Sequence, residues 1–198
     1  FEYEVGFSKY VERCVASDIK VFSILRPFHD LQLAKIFSRF NRYRKGFISC
    51  NRGITRNEWC KNCPKCAFTA MALYPFVGAG GLQGIFGEDI LHRSAIRKHI
   101  LALVGNGVKP WECVGTKEEN RLALRLLLDR NPSLEFLEAP FRKDLMKFVE
   151  TISVESGSSR LLDSTSREHL LPEDLREGLN RVLSGLGEPV IFQSAHST

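Results

Sequence analysis

The sequence holds no apolar run near the ~20 residues that a membrane-spanning helix requires, so no transmembrane anchor is expected among its 198 residues. Its opening, "FEYEVGFSKY", lacks the basic-then-apolar layout of a secretory signal peptide. There is no internal repeat and no heptad pattern, which sets aside solenoids and coiled coils. Acidic residues are nearly absent from one stretch. Between Lys35 and Lys65 only Glu58 opposes nine Lys and Arg residues, a local charge of +8 in a chain of net charge +5. Methionine is missing from the first position, where Phe1 stands, and a fragment or processed chain is expected on that ground. What remains, 43% hydrophobic and 26% charged, is the composition of a globular protein.

Cysteine, by contrast, is concentrated. Four of the six cysteines fall between Cys50 and Cys66, in "SCNRGITRNEWCKNCPKC". Thiols two residues apart close tight, strained loops if oxidised, so this spacing suits metal or redox chemistry better than structural bridges, and a reducing, cytoplasmic setting is expected. Cys50, Cys60, Cys63 and Cys66 offer four soft ligands, the number that closes a structural zinc site. Lys61, Lys65 and Arg52 stand nearby to offset the charge of four thiolates. An iron–sulfur cluster is the competing metal reading, although the longer first gap and the lack of further cysteines favour zinc. Buried free thiols are the bland alternative, and a polar, basic loop is a poor place for them.

The expected architecture is α/β and helix-rich. "IKVFSI", Ile19 to Ile24, reads as a buried strand ended by Arg26-Pro27, and "FISC" as a second strand ending at Cys50. Between them Leu33, Ile36, Phe37 and Phe40 mark one face of a helix. Asn51 to Trp59 reads as a polar loop, and Pro64 suits the first turn of a helix whose buried stripe includes Phe68, Met71 and Ala72. Pro75 and the glycines from Gly78 to Gly81 interrupt that pattern, and two further helices follow before Gly105. Thr116 and Glu119 form a capping box for a leucine-rich helix through Leu128. Another helix is expected from about residue 134 to 149. A domain of residues 1–150 would contain the knuckle at 50–66, and residues 151–198 would be a flexible serine-rich linker and a terminal amphipathic helix, "PEDLREGLNRVLSGL".

Several separated motifs, "FSILRPFHDLQLAKIF", "SCNRG", "WCKNCPKCAF", "IFGEDIL" and "KPWECVGTKEE", recur in this order, and with them the chain resembles the UDP-N-acetylmuramoyl-L-alanyl-L-glutamate epimerase (MurL-like) family of bacterial cell-wall synthesis. The likeness covers roughly Ser8 to Leu128. It implies the C-terminal part of a parallel-sheet fold like that of the adenine-nucleotide α-hydrolases, and an ATP- and magnesium-dependent inversion of the terminal L-glutamate of a UDP-muramoyl dipeptide. Such enzymes hold ATP with a Ser-Gly-Gly-x-Asp-Ser loop. No such loop occurs here, and the runs "GAGG" and "GNG" read as turns.

The resemblance implies roles for particular side chains. Arg26 and Lys109 lie in motif-matching loops and would bind carboxylates or phosphates, as would Arg52 and Lys65 beside the knuckle. Glu112 and Cys113 would carry protons, with a buried small hydrophobe as the competing reading of Cys113. Cys14 reads as core, and no histidine is assigned a role. Nucleic acid and membrane are not expected as partners, and the oligomeric state is open. Two other functions compete. One is a zinc-stabilised nucleic-acid module with Phe40, Tyr43, Phe47 and Trp59 as stacking surfaces; the other is a different ATP-dependent carboxylate-activating enzyme on the same scaffold.

Overall fold

The computed structural model describes residues 1–105, 108, 110–131, 141–143, 145–146, 160–189 and 192. The helix expected from about 134 to 149 and the domain boundary at 150 lie outside these residues, apart from the short stretches around 141–146. Two compact units form, one of residues 1–29 and 163–198 and the other of residues 30–162.

No β-strand occurs among the described residues, so the expected parallel-sheet, adenine-nucleotide α-hydrolase-like fold is corrected to a helical one. A strand needs a neighbour to take its backbone groups, and neither predicted strand has one. At "IKVFSI" the Ser23 amide donates to the Glu4 carboxylate at 2.9 Å instead. Ile19 and Ile24 stay exposed. "FISC" is extended at Phe47 but runs straight into a turn, in which the Cys50 carbonyl accepts from the Gly53 amide at 3.3 Å.

The first unit holds α1 (Glu2–Cys14) and α7 (Glu173–Gly185). The terminal amphipathic helix is thus where the sequence placed it. Its Asn180 side chain both accepts from the Phe192 amide and donates to the Phe192 carbonyl. Part of the expected serine-rich linker is helical, as α6 (Arg160–Asp163), and the rest of that linker up to residue 159 lies outside the described residues.

The second unit is built around α3 (Pro64–Phe86), packed by α2 (Asp30–Phe37), α4 (Ser94–Val104) and α5 (Lys117–Arg130). Apolar and small residues make up most of α3, and the half up to Gly78 is covered on every side. Ala67, Ala70, Met71, Leu73 and Tyr74 are all buried. Pro64 occupies the first turn as expected. In α2 the fully buried residues are Leu31 and Gln32, while of the predicted Leu33, Ile36, Phe37 and Phe40 stripe Phe37 is partly buried against the core.

Pro75 does not end α3. The break comes at Gly78, whose φ of 69° and ψ of −176° belong to a region open essentially to glycine alone. Across that break the chain doubles back. A straight helix of this length would part its ends by roughly 35 Å. Yet Trp59, five residues ahead of the helix start, packs against Phe86 at its end with centroids 4.6 Å apart and ring planes tilted by 51°. Lys61 Nζ likewise reaches Glu88 at 3.1 Å.

Helix α5 ties the surrounding ends together. Its Thr116–Glu119 capping box is present as expected. Glu119 does more than cap its own helix: Oε2 accepts from the Thr116 amide at 2.8 Å while Oε1 accepts from the Leu31 amide in the first turn of α2 at 3.3 Å. Arg121 donates to the last carbonyl of α4, Val104, at 3.0 Å, and Arg130 to the Pro75 carbonyl at 2.7 Å, one turn before the Gly78 break. Each supplies a partner that a helix end otherwise lacks.

Gly78→Ala is expected to lower stability by ~1–3 kcal/mol, because alanine is strained at that φ and its Cβ would press on the Arg130 guanidinium at 3.2 Å. Urea unfolding measures it; an unchanged midpoint would mean that the reversal does not need glycine. Glu119→Ala should cost ~2–3 kcal/mol, more than Thr116→Ala at ~1 kcal/mol, since only the first change strips two helix ends at once.

Candidate metal centre

The loop before α3 brings four sulfurs to one point. Cys50 ends the extended Phe47–Cys50 segment, and a turn follows whose carbonyl at Gly53 accepts from the amides of Arg56 and Glu58. A Cβ at Gly53 would stand 1.8 Å from the Glu58 carbonyl oxygen, so only glycine lets the loop close. Trp59 is buried between Phe47 and Phe86, with centroids 5.5 and 4.6 Å away, and pins the loop to the doubled-back end of α3. Cys60 then turns through Lys61, which takes a left-handed conformation at φ 53°, to Cys63. Cys63 is the N-cap of α3 and Cys66 lies in its first turn.

The sulfurs of Cys50 and Cys63 are 3.8 Å apart, those of Cys60 and Cys66 3.8 Å, and those of Cys63 and Cys66 3.5 Å. All four lie within 4.8 Å of one another. These separations are far beyond the ~2.05 Å of a disulfide. A tetrahedron with metal–sulfur bonds of ~2.3 Å has edges of ~3.8 Å, so the four residues fit a tetrahedral thiophilic cation. Three of the four sulfur ligands are buried and Cys60 is half-buried, which leaves no wide opening. The Cys60 amide points at the Cys50 sulfur at 3.4 Å and would stabilise a thiolate there.

The thiols are unequal. The hydrogen bond between Cys66 and Cys63 favours the Cys63 thiolate, holding Cys63 down to about 4 and pushing Cys66 up. Burial pushes Cys60 up to about 11. A cation that takes all four sulfurs must displace the protons of Cys60 and Cys66, so its uptake releases protons and weakens in acid.

Around the knuckle, Lys65 Nζ donates to Asn51 Oδ1 at 3.4 Å and Arg52 is exposed. Lys61 is taken by Glu88, which also binds Arg93. Glu112 is half-buried and Cys113 is an exposed free thiol, on a bend that follows the fully exposed Trp111. That bend is anchored close to the knuckle end of α3. Val114 is buried, and a Cβ at Gly115 would stand 2.9 Å from the ring of Phe68, two residues beyond Cys66. Lys109 lies outside the described residues. Arg26 belongs to the other unit, where its Nε pairs with Glu4 at 2.9 Å. Cys14, expected in the core, is exposed on α1 because the inward face of that helix is taken by Glu4 and Val11. Of the rings considered for base stacking, Trp59 is buried and Phe47 is half-buried between Phe37 and Trp59; Tyr43 is exposed, with Arg42 4.9 Å from its ring centre.

Residues 46–155 match the family described as the MurL C-terminal domain. The chain belongs to that family. A protein of Xanthomonas oryzae pv. oryzae (strain MAFF 311018) is 33% identical over 188 residues, covering 88% of this chain and 40% of the relative. One of Micromonospora sp. (strain ATCC 39149 / NRRL 15099 / SCC 1413) is 32% identical over 157 residues, covering 76% and 34%. One of Salinispora tropica (strain ATCC BAA-916 / DSM 44818 / JCM 13857 / NBRC 105044 / CNB-440) is 40% identical over 112 residues, covering 54% and 24%. All three are named UDP-N-acetyl-alpha-D-muramoyl-L-alanyl-L-glutamate epimerase. The chain spans at most about two-fifths of the length of these relatives. No solved structure matches it. The stretch matched to the MurL C-terminal domain takes in all four clustered cysteines together with Lys109, Glu112 and Cys113, while Arg26 lies before it.

Three residues that shape this centre were not singled out in the sequence for that work. Gly53 was visible only as the last letter of a motif, and Trp59 only as a stacking ring for the competing nucleic-acid reading. Asn120 is fully buried and donates to the carbonyls of Val114 and Thr116 at 2.8 and 2.7 Å, holding the bend that carries Glu112 and Cys113. The only signal for it was an asparagine in the first turn of a capped helix.

Protein purified without chelator is expected to carry about one zinc ion per chain at about pH 8 and progressively less as the pH falls toward about 5, because protons compete for the sulfurs. Elemental analysis across that range checks it. Cys63→Ser should lose the metal and melt at lower temperature; full stability in the variant would show that the cluster does no structural work.

Proposed function

We propose that this chain is the C-terminal, metal-pinned part of an enzyme that inverts the terminal L-glutamate of UDP-N-acetylmuramoyl-L-alanyl-L-glutamate to D-glutamate for peptidoglycan precursors. The observation that carries it is the 33% identity over 188 residues to a relative named for that reaction. Four cysteines at metal-ligand spacing go with a reducing, cytoplasmic setting, where UDP-linked precursors would be met.

Removing the proton beside a carboxylate is hard, since the product would carry two adjacent negative charges. ATP with magnesium would supply activation of that carboxylate as an adenylate, with nucleotide binding assigned to the part of the relatives that this chain does not span. The residues of this chain then have three tasks. Cys50, Cys60, Cys63 and Cys66 hold a structural zinc and so fix the basic loop against α3. Arg52, Lys65 and Lys109 bind the carboxylates and diphosphate of the substrate and stabilise the enolate. Glu112 and Cys113 move the proton, one removing it from Cα and the other returning it to the opposite face.

A full-length fusion that joins the upstream part of the Xanthomonas relative to this chain tests the reading. The fusion is expected to convert the L-glutamyl to the D-glutamyl dipeptide only with ATP and magnesium, with no change in substrate mass. Glu112→Gln and Cys113→Ser should each slow it by ~10²-fold or more. A folded fusion that leaves the stereocentre untouched overturns the proposal, and a product of altered mass points to another carboxylate-activating reaction.

A further inference from the structure

Helix α1 carries its rings on the side that faces water. Its inward face presents Val11, 7% exposed, and Glu4, 8% exposed. The glutamate is accommodated there because the Ser23 amide and Arg26 Nε both donate to it at 2.9 Å, which holds its carboxyl below the usual range. The flank next to it, ~80° round the helix, presents Tyr3, Phe7 and Tyr10, exposed by 81%, 43% and 57%. These positions are spaced four and three residues apart, so they form one stripe along the helix. The rings are ordered against each other: Tyr3 and Phe7 lie 6.1 Å apart and within 2° of parallel, and Phe7 and Tyr10 lie 6.5 Å apart at 21°.

Glu2, Lys9 and Arg13 take the side away from Glu4 and Val11, as charge does on an ordinary surface helix, and the rings fill the flank between the two sides. Three adjoining rings left in water have the composition of an interface core, where aromatics are enriched and tyrosine can bury its ring while its hydroxyl stays wet. The chemistry of α1 narrows the partner. Its charged residues are Glu2, Glu4 and Glu12 against Lys9 and Arg13, with no basic excess to attract nucleic acid phosphates or anionic lipid. A protein surface remains. The Xanthomonas relative has some three-fifths of its length outside the matched region, and the stretch described as a C-terminal domain begins at residue 46, so α1 lies upstream of that domain, on the side where the rest of a full-length relative would join.

We propose that the Tyr3–Phe7–Tyr10 stripe is the docking surface for the upstream region of the family's full-length protein. The proposal rests on family membership and on the exposed rings, not on the reaction assigned above, and its test reads contact rather than turnover.

In the fusion described above, backbone amides of Glu2–Cys14 are expected to exchange hydrogen at least about tenfold more slowly than in the 198-residue chain alone. Tyr3→Ser, Phe7→Ser and Tyr10→Ser combined should abolish that slowing in the fusion, while in the chain alone they remove only the ring-on-ring contacts along α1 and leave the circular dichroism nearly unchanged. A benzophenone side chain placed at position 7 should form adducts within one molecule, to upstream peptides. Equal exchange rates in the two proteins, slowing that survives the triple change, or adducts that join two copies of the chain would each overturn the proposal, the last by assigning the stripe to self-association.

Discussion

The second unit depends on the reversal at Gly78. A run of apolar and small residues from Pro64 to Phe86 has the content of one long buried helix, and left straight it would outreach the helices available to cover it. The break at Gly78 folds it instead, so that α2, α4 and α5 pack against it while Ala79, Gly80, Gln83 and Gly84 leave one side of the second half exposed. It also brings Phe86 and Glu88 back to Trp59 and Lys61, and the knuckle therefore rests on the end of the same segment that it begins. A helix interrupted in this way leaves carbonyls without helical partners, and Arg130 takes that of Pro75.

Polar side chains of α5 do for this helical unit what a ladder of strands would do in a sheet. Glu119, Asn120, Arg121 and Arg130 occupy one helix and satisfy the start of α2, the bend before α5, the end of α4 and the break in α3. Each bond is worth only ~1 kcal/mol net, yet leaving the buried group unpaired would cost more. The arrangement therefore specifies which ends meet, while the apolar packing of Met71, Leu82, Leu91, Leu103 and Leu124 supplies most of the driving force.

The knuckle and the Glu112–Cys113 bend are positioned by this same framework from two sides. Gly53 and Trp59 hold the sulfur-bearing loop, and Asn120 with Val114 and Gly115 holds the bend against Phe68. Basic side chains near the sulfurs are not all free to meet a ligand, because Lys61 is engaged by Glu88 and Arg56 by Glu58. The charge of +8 read along the chain is thus sorted by the fold into paired cations and those, such as Arg52, that stand exposed.

Local chemistry was legible from the residues themselves. Four thiols at gaps of nine, two and two, proline at a helix start, the Thr116–Glu119 box and the amphipathic stripe of α7 each depend on neighbours within a turn or a loop, so spacing alone determined them. Longer-range pairings were decided only by the tertiary structure. "IKVFSI" and "FISC" have strand composition, but composition does not supply a strand partner, and their backbone groups went to Glu4 and to a turn. Glycine at 78 announced a possible break but not its direction, and Glu119 announced one helix end but not the second, because both depend on what lies tens of residues away in the chain and ångströms away in space.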